Sequence, residues 1–176
     1  MSTCSHFHIL KDASFTEALI KDIQKEIDNN TTLVSEYYLS NDVIIINFTH
    51  PEFETLFVTT DYEKTYFKIK FPDDSLYSGF KFRNGKHNVF AFKIMLLLKY
   101  HLKENIIISS EYMNEGLSGD FLIALEYINS LGYNIKAVSR ESSTSPKIFI
   151  DDKEVCNIYD EDNKIFNSMF TVVNFK

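Results

Sequence analysis

Near the start of the chain Cys4, His6 and His8 alternate with Ser5, Phe7 and Ile9, so on a β-strand the thiol and both imidazoles lie along one face. These are zinc-ligand types, but a structural zinc site takes four ligands and no companion pair follows elsewhere. The stretch therefore reads as a frayed or edge strand, and no metal or cofactor is expected. A second group is acidic: Glu111, Glu115 and Asp120 surround Asn114 and Ser118 just after Ser109 and Ser110. Carboxylates there could serve as acid, base or cation ligand. They oppose a phosphate cradle, which needs a glycine-rich loop at a helix start, and acids near a helix start are also simply stabilising. A third group is Asp151, Asp152, Glu154, Asp160, Glu161 and Asp162.

Other constellations lack the spacing their chemistry needs. Ser109 and Ser110 have no G-x-S-x-G context. Cys156 has no histidine nearby. Asp160 and Asp162 run on to Lys164 without the glycine and distal glutamate of a calcium loop. His101 sits in the middle of an apolar helical face and reads as a hydrogen-bonded core histidine. Phe80 and Phe82 alternate with Lys81 and Arg83 before Asn84-Gly85, a pattern better explained by a half-buried strand than by a single-stranded nucleic-acid platform.

Charge sharpens this. The formal net charge of −7 disfavours nucleic acid as a partner. It is unevenly spread, because Ser75 to Lys103 holds Lys81, Arg83, Lys86, Lys93, Lys99 and Lys103 and no acid. Segregated charge can steer an oppositely charged partner. The two cysteines predict no disulfide framework and a cytoplasmic location, and the N-terminus has neither the basic nor the long apolar stretch of a signal peptide. Lysine is far commoner than arginine, and Asn, Ile, Phe and Tyr abound, as in an AT-rich gene.

The elements that must position these groups follow from periodicity. Ser14 and Glu17 have capping-box spacing, and Phe15, Leu19, Ile23 and Ile27 continue a helix that leaves Lys21, Lys25 and Glu26 outside. Leu33–Leu39, Val43–Phe48, Thr55–Thr60 and Lys64–Phe71 are β-rich runs with short connections, which predicts a four-stranded antiparallel meander. The densest apolar stretch, Asn88–Ser109, predicts a central helix with a wide buried face from Phe90 to Leu102. Lys93 and Lys99 fall on its opposite side and forbid a membrane span. Phe92, Leu96 and Tyr100 lie among those lysines and require a covering element or a partner.

Ile106–Ile108, a helix over Gly119–Leu131 with Ser118 as cap and Gly132 as terminator, and a strand over Tyr133–Val138 predict a right-handed βαβ unit. Lys147–Ile150, Val155–Tyr159 and Ile165–Phe175 predict C-terminal strands. The expectation is an α/β or α+β fold with a mixed sheet, as a single domain over 1–176 with possible sub-lobes 1–72 and 73–176. In function it is a non-catalytic inhibitor of the immunity or antitoxin type, binding a cognate basic toxin such as a nuclease through the two acidic groups. Two alternatives stand beside it. One is a small enzyme or effector working around Glu111 to Asp120, and the other is a homodimer through Phe92, Leu96 and Tyr100.

Overall fold

A computed structural model describes residues 3–10, 13–64, 76–82, 85–111, 117, 119–141 and 143–158. The class is α+β, with three helices and three small antiparallel sheets among the described residues. In chain order the elements are β1 (Thr3–Ile9), α1 (Glu17–Asn29), β2 (Val34–Leu39), β3 (Val43–Phe48), β4 (Leu56–Thr59), β5 (Leu76–Phe82), α2 (Lys86–Leu102), β6 (Ile106–Ser110), α3 (Gly119–Ser130), β7 (Ile135–Val138), β8 (Lys147–Ile150) and β9 (Lys153–Val155).

The first three runs of the meander form one sheet in the order β2-β3-β4, with the apolar Val43–Ile46 in its middle strand as the pattern requires. The fourth run, Lys64–Phe71, lies almost wholly outside the described residues; its first residue closes a 3-10 turn, Tyr62–Lys64. The N-terminal strand corrects the sequence reading. β1 is neither frayed nor an edge but the centre of β5-β1-β6, antiparallel to both neighbours. Its Phe7 and Ile9 enter the core, where Phe7 stacks on Phe80 with ring centroids 5.7 Å apart.

The βαβ expectation is also overturned. β6 pairs with β1 and β7 pairs with β8, so no parallel ladder forms among the described residues. The far side of β6 is instead closed by irregular chain. Ser110 N–H donates to Thr144 O at 3.0 Å, and the Asn157 carboxamide both accepts from Ile108 N at 2.9 Å and donates to Ile108 O at 3.0 Å. A single side chain thus offers Ile108 the two bonds a neighbouring strand would supply. Downstream, Asp151 and Asp152 both take positive φ, 50° and 65°, in a two-residue hairpin loop. That moves β9 ahead of the expected Val155–Tyr159, while Ile165–Phe175 lies outside the described residues.

All three helices pack together. The cap of α1 is Thr16 rather than Ser14, its hydroxyl accepting from Leu19 N at 3.2 Å. Gly85, at φ 119°, begins α2 in a conformation that favours glycine. The α2 helix is covered on nearly every side: Phe92 and Leu96 are fully buried, with Phe121 of α3 meeting Phe92 edge-on at 5.3 Å and Tyr133 meeting Tyr100 at 4.7 Å. The covering element is α3, so Phe92, Leu96 and Tyr100 are not an exposed dimer surface.

Burying α2 on nearly every side forces its polar side chains to find partners inside. Lys93 and Lys99, expected outside, are interior. Lys93 lies 3.8 Å from Glu26 of α1, which is itself buried rather than outside, and sits over the Tyr127 ring at 3.5 Å. Burial, reinforced by the nearby Glu26 carboxylate, pushes the Tyr127 phenol up to about 12. One turn away, His101 donates to Asp22 at 2.7 Å, the hydrogen-bonded core histidine read from sequence. Lys99 is fully buried, and its ammonium donates to three main-chain carbonyls, Lys103 O at 2.8 Å, Ile106 O at 2.6 Å and Cys156 O at 2.6 Å. Three N–H groups meet three acceptors, and β6 is tied to the chain leaving β9.

Burial pulls the Lys99 pKa down to about 7, from an ordinary value of 10.5. The folded chain therefore binds this proton less tightly than the unfolded chain does. The charging penalty is present in full below the folded pKa and is relieved as pH rises from 7 towards 10.5, so Lys99 makes stability increase across that window. Replacing it with methionine strands three buried carbonyls. Lys99→Met is expected to cost about 3 kcal/mol in urea unfolding and to flatten the rise in stability with pH; an unchanged pH profile would show that the ammonium is not desolvated.

Candidate functional site

The residues with the richest chemistry meet on the face of β5-β1-β6 that looks away from α2. Register puts Cys4 beside Lys81, His6 between Gly79 and Ser109, and His8 between Tyr77 and Ile107. Glu111, one residue past β6, is exposed and close enough to act on both Cys4 and His6. The sequence had aligned Cys4, His6 and His8 correctly, but Tyr77 and Glu111 join them only through strand pairing.

Gly79 explains the local geometry. A Cβ there would stand 3.0 Å from both His6 Nδ1 and the Tyr77 hydroxyl. The space a side chain would fill is occupied by the hydrogen bond between those two groups, which also stack at 5.4 Å. A glycine inside a strand marks such close approaches, and this was the one signal in the sequence that could have found the pair.

The electrostatics favour the neutral form of each group in the cluster. Burial, reinforced by Glu111, raises the Cys4 pKa, so the thiolate that makes a cysteine nucleophilic is disfavoured. Burial lowers the His6 pKa against a smaller opposing effect of Glu111. Burial pushes Tyr77 up to about 12. A protonated phenol and a neutral imidazole share the hydrogen bond at His6 Nδ1 without either group being ionised. No group of three or more His, Cys, Asp or Glu among the described residues is arranged to hold a metal ion.

The acids singled out in the sequence that lie among the described residues are found in separate places. Asp120 does structural work: its carboxylate accepts from Gly85 N at 3.2 Å and from Asn88 Nδ2 at 2.8 Å, so the start of α3 caps the start of α2. Asp151, Asp152 and Glu154 are exposed on the β8–β9 hairpin. Asp152 pairs with Lys136 at 2.8 Å, and Glu154 lies 4.0 Å from Arg140 and 3.9 Å from Lys147. Glu115, Asp160, Glu161 and Asp162 fall outside the described residues, as do Asn114 and Ser118. The cationic segment is thinned as well, since Lys93 and Lys99 are spent inside.

No family model, curated protein or solved structure matches the chain. No helix among the described residues is long and apolar enough to cross a membrane.

Two measurements check the polar face. Gly79→Ala should force the Tyr77 phenol away from His6 and let its pKa fall towards the ordinary 10, read by ultraviolet titration of the tyrosines. In a Cys156→Ser background, Glu111→Gln should speed alkylation of Cys4 several-fold at about pH 8 by removing a charge that holds the thiol protonated. Equal rates in the two proteins would place Glu111 too far away to matter.

Proposed function

We propose that this chain is a non-catalytic protein-binding inhibitor of the immunity or antitoxin type, engaging a basic partner through its carboxylate-bearing surface. The observation that carries this reading is the fate of the lysines. Lys99 is buried and Lys93 mostly so, against one buried acid of the helix layer, Glu26, so among the described residues the exposed charge is more negative than their formal sum. Such a surface favours encounter with a cationic protein and repels nucleic acid. Exposed Asp151, on a hairpin fixed by the Asp151 N to Asn134 O bond of 3.0 Å, offers a carboxylate that forms no ion pair with a described residue. The cluster around Cys4 and His6 supports the same reading from the chemical side, because its thiol is held away from the thiolate.

The test is functional. A basic protein captured at low salt from the source cells, and released by high salt, should be toxic when expressed alone and harmless when co-expressed with this chain. The combined change Asp151→Lys, Asp152→Lys and Glu154→Lys should slow association at least tenfold and reduce its salt dependence. A captured partner with no toxicity to suppress would end the inhibitor reading.

A further inference from the structure

The β2 strand is built unlike the others. Its four central residues, Ser35 to Tyr38, are all exposed, although successive residues point to opposite faces. Tyr37 is 43% exposed and Tyr38 58%, so both faces reach solvent along the middle of the strand. It is also an edge, paired only with β3 among the described residues. The hairpin bond from Ser40 N to Val43 O, 2.9 Å, fixes the alternation of main-chain groups. Tyr38 turns its N–H and C=O to β3, while Tyr37 and Leu39 turn theirs outward.

Protein edges are usually blunted by lysine, proline or a covering loop. β2 has neither residue type, and its irregularity is confined to the register shift between Val34 and Glu36. The Tyr37 side chain is already positioned: Gln24 Nε2 donates to its hydroxyl at 3.0 Å and to Asp28 at 2.8 Å. Charge decides what the edge fits. Glu36 shares a face with Tyr38, and at the hairpin end of the strand Asp42 and Asp61 share a single amine, Lys64, at 2.6 Å and 3.8 Å. Two copies of β2 paired antiparallel about Tyr37 would bring their Glu36 side chains to diagonal positions on one face, where like charges repel. A strand carrying cations opposite Glu36 and Tyr38 gains an ion pair and a cation–π contact instead, and an apolar residue between them meets Tyr37.

We infer that the edge of β2, which no described strand pairs on its outer side, accepts an extended segment of a basic protein as an added strand, reading the pattern cation–apolar–cation through Glu36, Tyr37 and Tyr38. Main-chain bonds to Tyr37 and Leu39 supply affinity and the alternating side chains supply selectivity. The inference rests on the basic-partner reading and names the surface and the form of that partner.

The probe is a soluble peptide alternating lysine and valine, with a glutamate–valine peptide as its counterpart, titrated into the isotope-labelled full chain. The lysine peptide should slow hydrogen exchange at the Tyr37 and Leu39 amides at least tenfold and leave Tyr38, already bonded to β3, unchanged. The glutamate peptide should do neither. Glu36→Lys and Tyr38→Ala, both surface changes, should each weaken binding at least fivefold. Strand addition is overturned if the lysine peptide binds without protecting those two amides, if both peptides bind alike, or if neither binds. The inhibitor reading then still stands or falls on suppression of toxicity, which does not depend on where the partner docks. Concentration-dependent protection of the same amides without peptide would assign the edge to a second copy and overturn the basic occupant.

Discussion

A helix with almost no face in water sets the terms for this fold. α2 buries Phe90, Phe92, Ile94, Met95 and Leu96 to Leu98 against a sheet on one side and α1 and α3 on the other. Each such side chain contributes on the order of 1.5–3 kcal/mol by leaving water, but the same enclosure takes in two lysines. An interior ammonium is tolerated only if its charge or its three N–H groups are matched. Lys93 is matched by a carboxylate and a ring, and Lys99 by three carbonyls drawn from the end of α2, from β6 and from the chain beyond β9. The cost of hiding the charge is thereby converted into ties between segments far apart in sequence.

The same accounting shapes the surface. A cationic stretch that looks in sequence like a positive counterpart to the acidic hairpin loses two of its members to the interior, and the remaining exposed charge is tilted towards carboxylate. Where ionisable groups do gather, around Cys4, His6 and Tyr77, burial pushes the thiol and phenol up and the imidazole down, each towards its neutral form. Neutral, mutually bonded groups suit a packed sheet face.

The candidate site was partly legible. Alternation alone placed Cys4, His6 and His8 on one face, because a strand's period of two is local. Nothing local says that Tyr77 is cross-strand to His8 or that Glu111 sits beside Cys4, since strand pairing is a contact between residues many tens of positions apart. Asp120 shows the converse. Its place at a helix start suggested a ligand, and the structure spends it on capping a different helix. The acids of Asp151–Asp152 were visible as charge, while their second role, adopting positive φ in a two-residue turn, follows from the backbone that Asp tolerates better than most residues.

Sequence by itself determined the α+β class, the helices α1, α2 and α3, the β2-β3-β4 meander with Val43–Ile46 inside, the terminating role of Gly132 and the need to cover Phe92, Leu96 and Tyr100. All of these depend on periodicity, caps and turns, which act over a few residues. Only the tertiary structure decided that β1 is central, that Asn157 and not a parallel strand closes β6, and that Lys93 and Lys99 lie inside. A run such as Ile106–Ile108 suits any buried strand, parallel or antiparallel, and a lysine on a helix carries no local mark of which neighbour will cover it. Those outcomes depend on which distant surfaces meet, and the partners of a side chain, not its type, determine whether its charge stays in water.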